Sequence, residues 1–187
     1  MVVGIVIGVI VVLLILFLVV LYNGLVRLRN QTKNAWAQID VQLKRRHDLI
    51  PNLMETVKGY MAHERQTLEA VTNARNLAQG AVGTGVGAQS KAEGELSGAL
   101  SRLLAVVENY PDLKANQNFL ALQEELSSTE NKIGFSRQYY NDSVLRYNNK
   151  TQMFPSNIVA GMFRFVAGEF FEVEVAAERE VPKVSFT

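Results

Sequence analysis

Apolar side chains open the chain almost without interruption. From Val2 to Leu21 nearly every residue is Val, Ile, Leu or Phe, Gly4 and Gly8 are the small exceptions, and no charged side chain occurs before Arg27. A helix needs about 20 apolar residues to cross the hydrocarbon of a bilayer. The run therefore predicts a transmembrane helix, and its β-branched content suits one, because hydrocarbon leaves the backbone no partner but itself. After Tyr22 the pattern turns periodic. Trp36, Ile39, Leu43, Ile50, Leu53, Val57 and Tyr60, then Leu68 and Val71, fall on helical spacing. Leu96, Leu100, Leu103, Val107 and Tyr110 repeat it, as do Phe119, Leu122, Leu126, Ile133, Tyr140, Val144 and Tyr147. Stripes of this period belong to amphipathic helices that pack at shallow angles.

Breaks in the stripes divide the chain. Pro51 lacks a backbone donor and disfavours helical geometry at Ile50, which predicts a tight turn with Pro51 in the first turn of the next helix; a kink in one helix is the alternative. The glycine-rich stretch Gly80–Gly87 reads as a flexible connection, and Tyr110-Pro111-Asp112 as the next turn. Four helices are expected, over 23–48, 51–79, 87–109 and 113–153. Their short links give up-down-up-down connectivity. Ser156 is the expected cap of a short apolar helix running to Val166. The residues beyond Glu178 read as extended, with Pro182 against helix. The fold class is thus all-α: an anchor over 1–22, an elongated antiparallel long-helix bundle over 23–155, and a short helix with an extended tail over 156–187.

Charge adds an orientation. Arg27, Arg29, Lys33, Lys44, Arg45 and Arg46 follow the span, opposed by Asp40 alone. The positive-inside rule puts the C-terminal side in the cytoplasm, with the N-terminus outside the inner membrane. The same cations are candidates to touch anionic head groups. No basic n-region or small-residue cleavage site frames the run, so an uncleaved anchor is expected in place of a signal peptide. A net charge of +1 does not point to nucleic acid, and the absence of cysteine excludes disulfides and thiolate chemistry.

Reactive constellations are weak. His47-Asp48 and His63-Glu64 lack the one-turn histidine spacing of a helical zinc site, and both histidines are expected to be partly exposed. The glycine stretch has no preceding strand and no Lys-Ser/Thr, so it does not read as a phosphate loop. Glu124, Glu125 and Glu130 lack the Glu-x-x-His of di-metal bundles; Glu130 and Arg137 read as a polar layer that fixes helix register. No cofactor is expected. Tyr139, Tyr140, Asn148 and Asn149 are candidate subunit or partner contacts, as are Phe163, Phe165, Phe170 and Phe171. For the apolar group from Met153 to Phe171, packing on the bundle or a subunit is favoured over insertion into a membrane.

The stretches DLIPNL, TENKI, RQYYND and FPSNIVAG, in this order behind an apolar N-terminus, resemble the LemA family of bacterial membrane proteins. The resemblance covers nearly the whole chain. It implies an anchored helical bundle without an established catalytic activity, and it brings in membrane proteases of the HtpX type as possible partners. The expected role is a self-associating membrane scaffold or adaptor, not an enzyme. Membrane shaping is a variant of that role, and a metal-binding or enzymatic bundle is the remote alternative.

Overall fold

The computed structural model describes residues 1–172. Among the described residues every regular element is helical. The helices are α1 (Val2–Lys58), α2 (Arg65–Gly80), α3 (Val86–Val107), α4 (Pro111–Lys114), α5 (Gln117–Gln152) and α6 (Ser156–Met162). The extended tail expected beyond Glu178 lies outside the described residues. The chain divides into two compact units, one built from Met1–Val41 with Gly134–Phe170, the other chiefly from Gln42–Ile133.

In the first unit the apolar run and the residues after it form one helix. Val2–Val20 is exposed along its whole length, and burial begins at Leu21 and Leu25. The C-terminal part of α5 runs antiparallel to this helix. Trp36 meets Tyr140 edge-on at 5.3 Å, and Thr32 Oγ1 donates to the Ser143 carbonyl at 3.4 Å. Contacts thus step back along α1 as α5 advances, and the end of α5 comes down to where the apolar run emerges. The chain then turns through Phe154-Pro155. Helix α6 lays Val159 and Ala160 against Leu21 and Leu25.

α6 ends in a tight cap. The Phe165 amide donates to the Ala160 carbonyl at 2.9 Å and the Arg164 amide to Gly161 at 3.3 Å, while Arg164 itself sits at φ 54°. This is the Schellman arrangement, with arginine where glycine usually serves. It stops the helix at Met162, short of the expected Val166. Ser156 does not cap α6 either; its hydroxyl donates back to the Lys150 and Met153 carbonyls at the end of α5. From Phe165 the chain returns along α5, held by side chains. Tyr147 donates to the Val166 carbonyl at 2.8 Å, Asn148 exchanges two bonds with the Gly168 backbone, and Tyr140 donates to the Glu169 carbonyl at 2.8 Å.

The second unit is a packed set of helices with a seam of period three and four. Leu43, Arg46, Ile50, Leu53 and Val57 are buried on α1, and Gln89, Glu93, Leu96, Leu100, Leu103 and Val107 on α3. This is the spacing of coiled-coil seams. Helix α2 turns Val71, Ala74 and Ala78 inward and packs on α3. Gly83 and Gly85, at φ 80° and 121°, make the link between α2 and α3 in backbone regions that favour glycine.

Two helix boundaries in the second unit also differ from expectation. Pro51 does not separate helices: α1 continues through it to Lys58. Proline removes the amide that would bond the carbonyl four residues back, that of His47. Arg75 Nε donates to that carbonyl at 2.9 Å, so α2 supplies what the proline took away. The break comes instead at Gly59–Glu64, where Met61 is fully buried. At the other boundary, α5 starts at Gln117, not at residue 113. Asn116 Oδ1 accepts from the Asn118 and Phe119 amides at 2.9 and 3.1 Å, an N-cap that leaves Pro111–Lys114 as a separate turn.

Candidate functional site

Two features stand out, one in each unit. In the second unit the seam is interrupted by charge. Arg46 occupies a core position three residues after Leu43 and four before Ile50, and is 1% exposed. Its guanidinium pairs with the carboxylates of Glu93 and Glu130 and donates to Ser97 Oγ at 2.8 Å. His47 Nε2 lies 2.9 Å from the second oxygen of Glu93. Burial of Glu93 opposes its ionisation. The hydrogen bond from His47 and the charges of Arg46 and His47 outweigh that, and hold the carboxyl below the usual glutamate range. One Glu93 oxygen pairs with Arg46, the other faces His47 Nε2, and the side chain is sealed from solvent, so the cluster is placed to set helix register. No group of three or more potential metal ligands occurs among the described residues. An open groove of about 640 Å³ lies beside α2, lined in part by Met54, Lys58, Arg65 and Leu68.

In the first unit the feature is an apolar surface where α1 leaves its exposed apolar stretch. Phe163 and Phe165 meet the Tyr22 ring edge-on at 4.8 and 5.7 Å, and the Arg29 guanidinium stands 5.0 Å from the Phe165 centroid. That cation–π contact ties the returning chain to α1. Phe154 (79%), Met162 (66%), Phe163 (56%) and Ile158 (55%) remain outside. Farther along α5, Phe135 and Tyr139, one helical turn apart, are also exposed. Burial, reinforced by the charge of Glu169, pushes the Tyr140 hydroxyl up to about 12.

The residues singled out from the sequence separate into three groups. Arg27, Arg29, Lys33 and Lys44 are exposed, and Arg45 is exposed but paired with Glu125. Arg46 is not available to lipid: the seam spacing that makes it a core residue also gives it Glu93 as partner. Tyr140, Asn148 and Phe171 are buried by their own chain, Phe165 is half-buried, and Tyr139, Asn149, Phe163 and Phe170 remain exposed. His63 is exposed, whereas His47, expected at the surface, is buried because it packs beside Glu93. The polar layer does include Glu130, but its centre is Arg46 and Glu93. The available signal was their position, since both continue a stripe of otherwise uncharged residues.

A sequence model of the LemA family matches residues 35–186. The chain is 26% identical to Magnetosome protein MamQ 2 of Paramagnetospirillum magneticum, the match covering 86% of this chain and 68% of that protein. It is 28% identical to Protein LemA of Metamycoplasma hominis, over 74% of this chain and 63% of that one. Magnetosome protein MamQ of Magnetospirillum gryphiswaldense is 23% identical over the same shares as the first. With a family match that takes in all the helices after the apolar run, the chain belongs to the LemA family.

Proposed function

We propose that the chain is a single-pass scaffold of the inner membrane, its domain on the cytoplasmic side, which self-associates through the α5 face carrying Phe135 and Tyr139. The observation that carries this reading is Phe135, a large aromatic side chain 75% exposed on a helix with a buried opposite face. Anchoring explains why a second copy is its partner. A single span holds every copy in one orientation and at one height above the bilayer. A patch at fixed height then meets its own twin, which suits a self-complementary contact, and confinement to a plane raises the effective concentration.

Full-length protein in detergent, examined by light scattering and by crosslinking between cysteines introduced at position 135, tests the proposal. A defined oligomer is expected, reduced to monomer by Phe135→Asp with Tyr139→Lys at unchanged helicity. A monomer at all concentrations, or an oligomer indifferent to the double substitution, overturns it.

A further inference from the structure

The exposed apolar side chains of α6 lie close to the apolar run in space though far from it in sequence. Val159 and Ala160 fix α6 to Leu21 and Leu25. The exposed run Val2–Val20 ends just before Leu21. At 1.5 Å per residue it spans about 28 Å, close to the roughly 30 Å of bilayer hydrocarbon. Leu21–Leu25 therefore stands in the head-group layer, and α6 stands there with it.

We propose that α6 and its flanks form a second membrane contact, with Phe154, Ile158, Met162 and Phe163 sunk into the interface of the bilayer that the anchor crosses. The proposal rests on the reading of residues 2–20 as a span. Three observations choose lipid over a protein as the occupant. The surface is continuous with the exposed run, through the Tyr22–Phe163 ring contact. Exposed cations flank it, Arg27 and Arg29 just after Leu25 on α1 and Arg164 directly after Phe163. The acidic Glu169 is carried away from this surface, where Tyr140 donates to its backbone carbonyl and itself packs on Trp36. Arg164 keeps a left-handed backbone that glycine would adopt without strain. Aromatic rings with neighbouring cations are the side chains that settle at membrane interfaces.

The test uses full-length protein in vesicles of mixed zwitterionic and anionic lipid, in a Trp36→Phe background. Single tryptophans replace Val11, Phe163 or Phe135, and quenching is read with lipids brominated near the head group or deep in the acyl chain. The expected result is deep quenching for Val11→Trp, at least twofold shallow quenching for Phe163→Trp, and none for Phe135→Trp. If Val11→Trp is quenched while Phe163→Trp matches Phe135→Trp, the interfacial contact is overturned and the span stands. If Phe163→Trp shifts to the blue with rising protein density but is not quenched, a second copy covers α6 and lipid does not. If Val11→Trp is unquenched, the span fails and the inference with it.

Discussion

The two units solve the same packing problem with opposite materials. The first closes its core with aromatic rings and with hydroxyl and amide side chains bonded to backbone: Trp36 on Tyr140, Tyr147 to Val166, Asn148 to Gly168. Its charges stay outside, as Arg29 does over Phe165. The second is an aliphatic seam with one ionic cluster placed inside it. Apolar seams tolerate slippage, because one leucine replaces another at the next turn. A buried arginine has a partner in only one alignment, so the second unit depends on Arg46 and Glu93 for register in a way the first does not.

The largest effect should come from breaking that cluster. Glu93→Ala leaves a buried guanidinium without its main partner and is expected to cost about 3–5 kcal/mol in thermal or urea unfolding. Adding Arg46→Met and placing Leu at 93 should recover most of the loss, since an apolar pair needs no partner. The same carboxylate gives a pH signature. Its folded pKa lies below the unfolded value of about 4.3, so its contribution is present above that pH and declines as pH falls through the lower folded value. Glu93→Gln should flatten this part of the acid profile. A profile unchanged by Glu93→Gln would show that the cluster is not what distinguishes the second unit.

An intermediate effect is expected where α2 supports α1. Arg75→Ala strands the His47 carbonyl beneath Pro51 and should cost about 1–3 kcal/mol. With Pro51→Ala the amide returns, and the same arginine substitution should then cost within about 0.5 kcal/mol, as at an ordinary surface site. Equal costs in both backgrounds would mean that Arg75 stabilises by another route. The smallest effect belongs to the first unit. Arg164→Gly relieves the left-handed backbone and should stabilise by roughly 1 kcal/mol, read as a higher melting temperature by circular dichroism.

The helices were legible because burial repeats at three and four residues, and the exposed apolar helix because nothing interrupts its run. The ionic cluster was less so. A stripe is recognised by its apolar members, and Arg46 and Glu93 look like surface charges until the gap each fills between Leu43 and Ile50, or between Gln89 and Leu96, is counted as a core position. Pro51 misled for a related reason. Its local cost argues for a break, and the compensating Arg75 lies 24 positions along the sequence, where no local rule looks. The α6 surface was visible as apolar composition, but its nearness to Leu21 depends on the antiparallel return of α5.

Helix α1 passes from the apolar run into the packed part of the first unit without a joint. The ladder of backbone hydrogen bonds is unbroken at Tyr22, so nothing there can swivel. When a span tilts to match a thinner bilayer, a flexible linker would absorb the rotation. If residues 2–20 cross a bilayer as proposed, the stiffness of one continuous helix carries that tilt to the α5 segment packed alongside. Under the proposed span, bilayer thickness would become a mechanical input that this unit registers as inclination.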